Sequence, residues 1–212
     1  MQKRMLFKMH RSLTLLTLKR LLLAISMGCL VATVNAAPMD DASAAYRKGD
    51  YAQALKIFKS LATQGNASAQ YIIGFMYVEG KGVIQDYEEA AKWYRLAADQ
   101  GNALAQNDIG VMYVKGKGVI QDYKEAVKWY RLSAAKGFQL AQRNIGEMYE
   151  NGKGVTQDYI LAHMWFNLSS LADVVTDGAK NRDLLAKKMT PQQIEKAQDM
   201  ARECQARNFK GC

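Results

Sequence analysis

A period of 36 residues constrains the fold of this chain more than any other feature of its sequence. Trp93, Trp129 and Trp165 are each 36 residues apart. Two further series keep the same spacing: Asp50, Asp86, Asp122 and Asp158, and Gly65, Gly101 and Gly137. Landmarks at one constant spacing are typical of repeat proteins, in which each unit buries its apolar side against its neighbours.

Each repeat has the pattern of two amphipathic helices. The apolar stripes of the first full repeat are Ala69, Ile73, Met76 and Tyr77 in one helix and Ala90, Trp93 and Ala97 in the next. Gly74 interrupts the first stripe, and a glycine inside a helix costs about 1 kcal/mol relative to alanine. We therefore expect the neighbouring helix to approach closely at Gly74. The pattern predicts an all-α fold, a right-handed superhelical solenoid of stacked antiparallel helix pairs.

The segment between the two helices, GKGVIQDY, begins at Gly80 and returns at Gly116 and, with one substitution, at Gly152. A phosphate-binding loop would need Gly-x-x-x-x-Gly-Lys-Ser/Thr after a strand, and neither the spacing nor a strand is present. Gly80 instead stands where a helix C-cap favours glycine, and Asp86 stands where an N-cap belongs, with Glu89 as its capping-box partner. The segment is predicted to be a corner between helices.

These repeated residues resemble the Sel1-like repeat family, a relative of the tetratricopeptide repeats. The resemblance rests on Ala69, Ile73, Gly74, Met76, Tyr77, Gly80, Gly82, Val83, Asp86, Ala90, Trp93, Ala97 and Gly101 and on their counterparts in the later repeats. It divides the chain into repeats at 66–101, 102–137 and 138–172. Residues 37–65 have a shorter corner and form a predicted tetratricopeptide-like starter unit. Residues 173–212 are predicted to be capping helices, the last beginning at Thr190-Pro191.

Residues 1–36 have the layout of a secretory signal peptide, with cleavage expected near Ala36; an uncleaved anchor is the alternative. This leader holds six of the 29 basic residues and no acidic one, so 23 basic residues face 20 acidic ones in the remainder. A net charge near +3 gives no indication of nucleic-acid binding. We expect a periplasmic or secreted protein without a membrane span after cleavage. Cys204 and Cys212 form an even pair in an exported chain, which favours a disulfide over two free thiols.

Residues able to perform chemistry are few. His163 is the only histidine after the leader, and one histidine cannot build a zinc site of the usual composition. We predict no metal, no cofactor and no catalytic residues. Ser133 and Lys136 fit the Ser-x-x-Lys motif of β-lactam enzymes, but the companion motifs are absent. A β-lactamase-like or cell-wall hydrolase remains the alternative function, because cysteine-rich secreted members of the family have been linked to β-lactams.

The surface that stacked hairpins leave open is the predicted binding site. In tetratricopeptide geometry, the exposed side of each first helix lines a concave groove. The residues we assign to partner binding there are Tyr71, Phe75, Val78, Asn107, Val111, Arg143 and Glu147. Side chains at these positions differ between repeats, as a partner-specific groove requires and as neutral drift on a solvated face would also produce. The resemblance implies a non-catalytic scaffold for a protein or peptide, in envelope assembly, signalling or toxin neutralisation.

Overall fold

The computed structural model describes residues 36–171 and 177–212 of the chain. This part contains ten helices and no strand: α1 (Ala36–Arg47), α2 (Tyr51–Thr63), α3 (Ala67–Glu79), α4 (Tyr87–Asp99), α5 (Ala103–Lys115), α6 (Tyr123–Ala134), α7 (Gln139–Asn151), α8 (Tyr159–Ser169), α9 (Gly178–Ala186) and α10 (Pro191–Ala206). Apart from Ala36, the predicted signal peptide lies outside the described residues. Residues 172 and 173, where the repeats and the C-terminal capping helices were predicted to meet, also lie outside them. The all-helical fold is confirmed.

The chain divides into two compact units, and the boundary between Ile57 and Phe58 falls inside α2. In the first unit, Gly49 at the α1–α2 corner has a left-handed φ of 81°. The Asp50 carboxylate accepts a hydrogen bond from the Gln53 backbone nitrogen at 3.1 Å and so caps α2. The predicted short corner is therefore present.

The second unit is built from consecutive helix pairs. Helix α3 packs on α4, α5 on α6, and α7 on α8, while α4 also packs on α5 and α6 on α7. Trp129 and Trp165 are 7% and 2% exposed, and Trp129 packs into a cluster that includes Ala90 and Tyr94 of the preceding repeat. Each pair thus covers the apolar side of the next one, as the period predicted.

Three glycines allow the two helices of each pair to approach. A Cβ on Gly74 would lie 2.6 Å from the Tyr94 ring, and one on Gly110 would lie 2.7 Å from the Tyr130 ring. In the third pair, the ring against Gly146 is that of Phe166, at 2.6 Å. The expected close approach is confirmed, and an aromatic ring of the second helix accounts for it.

The GKGVIQDY segment is a corner, with one correction to its predicted caps. Gly80 has a φ of 66° and ends α3, and the Asp86 carboxylate accepts hydrogen bonds from the backbone nitrogens of Glu88 and Glu89. The Glu89 side chain does not close a capping box with Asp86. Its carboxylate accepts a hydrogen bond from Lys92 Nζ at 2.9 Å instead, because Lys92 lies one turn further along the exposed face.

The same segment also joins neighbouring repeats, a contact that its sequence pattern does not predict. A Cβ on Gly118 would lie 2.0 Å from the Tyr87 carbonyl oxygen, at the start of the preceding repeat's second helix. Lys117 places Nζ 4.8 Å from the centre of the Tyr87 ring, a cation–π distance. Gly154 and Lys153 make the equivalent contacts with Tyr123. The corner is therefore an inter-repeat contact as well as a turn.

The C-terminal helices cover the last repeat. Both α9 and α10 pack against α8. Thr190 and Gln193 form the predicted capping box, with Pro191 in the first turn of α10. A disulfide joins Cys204 to Cys212, with 5.8 Å between their Cα atoms, as the cysteine count predicted.

Candidate functional site

A cleft of about 450 Å³ lies between α3 and α5, and three of the predicted groove residues line it. Its lining comprises Phe75, Val78 and Val111 together with Glu79, Gln85, Tyr87, Tyr94, Asp108, Met112, Lys115 and Lys117. Pockets that bind small molecules or side chains commonly have volumes of about 300 to 1,000 Å³. The first two repeats therefore form a recess of useful size on the surface where binding was predicted.

Asp108 is one of two acidic residues in the lining of this cleft. Its Oδ2 accepts a hydrogen bond from the Tyr71 hydroxyl at 3.2 Å, and its Oδ1 accepts one from Asn107 Nδ2 at 2.9 Å. Burial raises the pKa of the Asp108 carboxyl, and the two hydrogen bonds partly oppose that shift. None of the ion pairs in residues 36–171 and 177–212 includes Asp108. The cleft thus contains a partly buried carboxylate that takes part in none of these ion pairs.

Aromatic rings flank this carboxylate. The rings of Tyr71 and Tyr94 stack with centroids 5.5 Å apart and an interplanar angle of 26°. Burial, and then the charge of Asp108, raise the pKa of both hydroxyls, so both tyrosines stay neutral at physiological pH. Tyr71 does not line the cleft itself but holds the Asp108 carboxylate in place.

A chain of polar side chains continues from Asp108 across the first helices. Asn144 Nδ2 donates to Asn107 Oδ1 at 2.9 Å, and Arg143 donates to Asn144 Oδ1 at 3.2 Å. Arg143 Nε also lies 3.5 Å from Glu147 Oε1. Burial raises the pKa of the Glu147 carboxyl, and Arg143 opposes that shift. Polar contacts therefore run through α3, α5 and α7.

This chain corrects one of our expectations. Asn107 was assigned to the open groove, but it is only 5% exposed. Its amide is occupied by Asp108 on one side and Asn144 on the other, so it links repeats and is not available to a partner. Arg143 and Glu147 are partly exposed on α7 but do not line the cleft.

The most informative residues, Asp108 and Asn144, were missed. Both occupy the repeat position that Ile72 holds in the first full repeat, directly before the buried isoleucine of each first helix. The change from isoleucine to aspartate to asparagine beside a core residue is the signal in the sequence that could have indicated a polar contact. Exposed positions also vary from repeat to repeat, so this change did not by itself distinguish Asp108 and Asn144 from solvated residues.

Lysines also line this cleft or lie close to it. Lys81 Nζ lies 5.6 Å from the centre of the Phe75 ring, and Lys115 and Lys117 are among the lining residues. The acidic Glu79 lies beside them. The cleft lining thus contains two acidic and two basic residues.

The Ser133–Lys136 pair has the geometry of packing, not of a nucleophile and its base. Ser133 is fully buried, and its hydroxyl donates to the Ala103 carbonyl oxygen at 2.7 Å. The Lys136 ammonium group donates to the Gly101 carbonyl oxygen. Ser133 therefore ties α6 to the start of α5, and Lys136, just after α6, bonds to the segment just before α5.

His163 is also an interior residue. It is 2% exposed, and its Nδ1 has no hydrogen-bond partner in the described part of the chain. Burial lowers the pKa of its imidazole, Arg182 adds to that shift, and Asp183 opposes it. Within residues 36–171 and 177–212, no group of three or more His, Cys, Asp or Glu side chains is placed to hold a metal ion.

Comparison with known protein families identifies the repeats. The Sel1 repeat matches residues 44–66, 67–102, 103–138 and 139–174, more than half of the chain. The chain belongs to the Sel1 repeat family. The last three matches coincide with the predicted repeats to within two residues. The first falls in the segment predicted as a tetratricopeptide-like starter unit, so a short fourth Sel1 repeat stands there.

Two solved Sel1-type structures resemble this Sel1 repeat protein. A Sel1 repeat protein from Oxalobacter formigenes is 28% identical with a TM-score of 0.61, and the match covers 78% of this chain and 75% of that one. The protein c5321, a protective antigen of uropathogenic Escherichia coli with an SLR fold, is 27% identical with a TM-score of 0.56. That match covers 74% of this chain but only 42% of c5321. No curated protein matches the chain.

The family indicates what kind of ligand the cleft would bind. Sel1 repeat proteins generally serve as protein-interaction scaffolds, and the cleft lies between the first helices of two such repeats. Within residues 36–171 and 177–212, every helix is too short or too polar to cross a membrane.

Proposed function

We propose that this protein is an exported, non-catalytic scaffold that binds a protein or peptide partner on the first-helix face, meaning the exposed side of α3, α5 and α7. The observation that carries this proposal is the cleft between α3 and α5, where Phe75, Val78 and Val111 present apolar surface around Asp108. Aromatic side chains in recessed positions commonly dominate protein interfaces. Phe75 is therefore the principal apolar anchor in the proposal.

Export is part of the proposal and rests on two observations. The leader combines basic residues, an apolar run and small residues before Ala37, as secretory signals do. The Cys204–Cys212 disulfide fits an oxidising compartment such as the periplasm or the cell exterior. Envelope assembly, signalling and toxin neutralisation are the roles in which such an exported scaffold would act.

Selection of binding peptides tests the proposed face. Random peptides displayed on phage would be selected on the protein, and their affinities measured for Phe75→Ala/Val111→Ala. Removing both apolar side chains should weaken binding at least about tenfold, or roughly 1.4 kcal/mol. These residues suit the test better than Tyr71, because Tyr71 also holds Asp108 and stacks on Tyr94.

The matched control removes two apolar side chains from second helices. Leu96 on α4 and Leu132 on α6 are 49% and 50% exposed. Leu96→Ala/Leu132→Ala should leave the affinity of the selected peptides unchanged. Peptides that lose affinity with this control pair but not with the Phe75/Val111 pair would contradict the proposal.

A further inference from the structure

The cleft between α3 and α5 differs from an ordinary apolar recess because its lining includes a carboxylate with unused hydrogen-bonding capacity. A carboxylate offers about four acceptor positions on its two oxygens. Asp108 uses one on each oxygen, for Tyr71 and Asn107. One further acceptor position therefore remains on each oxygen, which is the arrangement that a planar, two-pronged donor satisfies.

The surroundings of Asp108 favour a cationic group that also has a flat face. The cleft lining includes the rings of Phe75, Tyr87 and Tyr94. A guanidinium group stacks on aromatic faces and pairs with a carboxylate through two parallel hydrogen bonds, whereas an ammonium group acts as a point charge. Desolvation of the Asp108 carboxylate would be offset by such a partner.

Resting on the proposed function, we infer that the cleft is a subsite for one arginine side chain of the partner peptide, with Asp108 as its counter-ion and Phe75 and Tyr94 as its aromatic walls. Among the three full repeats, Asp108 has Ile72 and Asn144 as counterparts, so neither of the other two has a carboxylate at this position.

Lys115 and Lys117 also line the cleft, so a ligand with a carboxylate is the alternative to an arginine, and the two can be told apart by mutation. A peptide carboxylate would need Lys115 or Lys117, and a guanidinium group would need Asp108. Replacement of Asp108 by asparagine keeps the shape and places there a side chain that the fold already carries as Asn144. The two ligand classes therefore predict opposite effects of Asp108→Asn and Lys115→Ala.

The test is an NMR titration of the isotopically labelled protein with N-acetyl-arginine methylamide at millimolar concentrations. Saturable shifts are expected at Phe75, Tyr94 and Asp108, and the glutamate and norleucine methylamides should produce none at these residues. Asp108→Asn should weaken arginine binding at least about tenfold, because neutralising one partner of a partly buried ion pair removes most of the attraction between the two. Lys115→Ala should leave arginine binding unchanged or tighten it.

Three results would overturn the inference. They are the absence of saturable shifts with the arginine probe, equal binding by Asp108→Asn at unchanged helicity, and binding of the glutamate probe that Lys115→Ala abolishes. The peptide selection gives an independent answer on the proposed function. If selected peptides require Phe75 and Val111 while the arginine probe does not bind, the first-helix face stands and the arginine subsite fails.

Discussion

Replacing Gly118 with alanine should destabilise the contact between two neighbouring repeats. Gly118 has a φ of 68°, and an added Cβ would lie 2.0 Å from the Tyr87 carbonyl oxygen and 2.9 Å from the Glu88 nitrogen. Both are backbone atoms, so no side-chain rotation can relieve the overlap. The corner of one repeat must move away from the second helix of the preceding repeat.

The magnitude has two parts. A non-glycine residue in the left-handed region costs about 1–2 kcal/mol, and the overlap adds about 1–3 kcal/mol by analogy with overpacked cores. Alanine also reduces the freedom of the unfolded chain, which offsets about 0.4–1 kcal/mol. The free energy of unfolding should therefore fall by about 1–4.5 kcal/mol in Gly118→Ala.

Gly116→Ala is the matched control, since it lies two residues away in the same corner. Its φ is 64°, but an added Cβ would lie 3.3 Å from the Gln121 Cβ and no closer than 3.6 Å to the Gln121 backbone. Its free energy of unfolding should fall by only about 0–1.5 kcal/mol, because the overlap cost of about 1–3 kcal/mol is absent. Urea unfolding of both variants measures the difference. Equal losses in the two variants would refute the inter-repeat role of the corner.

Three further predictions concern residues outside the cleft. Cys212→Ser should lower the free energy of unfolding by about 2–3 kcal/mol, since it opens a short loop without touching the buried Cys204; equal stability of the variant and the oxidised protein would contradict this. Because the folded-state pKa of His163 is lowered, the unfolded chain binds more protons, so stability should fall as pH drops below about 6.5. His163→Gln should reduce that dependence between pH 7.5 and 5.5, and an unchanged dependence would count against the burial argument. Ser133→Ala should cost about 1 kcal/mol through the lost hydrogen bond to Ala103, and turnover of a chromogenic β-lactam that depends on Ser133 would reverse its assignment to packing.

The repeat architecture was predictable because it follows from local patterns. Each helix pair has its own apolar stripes, its own C-terminal glycine and its own N-cap aspartate, so Gly80 and Asp86 could be assigned from residues close to them in sequence. The capping box of Thr190 and Gln193 is equally local. These features required no knowledge of which repeat contacts which.

Contacts between repeats were the part that the sequence did not predict. Gly118 was interpreted only as a turn residue. Its contact with Tyr87, which lies in the preceding repeat, could not be read from the residues around it in sequence. Asn107 was placed on the open face for the same reason, since only the stacked fold brings Asn144 within 2.9 Å of it. Asp108 was overlooked because a single acidic residue in a helix resembles an ordinary solvated one until its burial is known.

The central claim is that the first-helix face, with the cleft around Asp108, is where this scaffold binds its partner. A crystal structure of the protein with a library-selected peptide tests that claim most directly. We expect the peptide to lie across α3 and α5, with an apolar group against Phe75 and an arginine side chain on the Asp108 carboxylate. A peptide bound instead to the exposed side of α4 and α6, with the cleft between α3 and α5 free of peptide, would contradict the account.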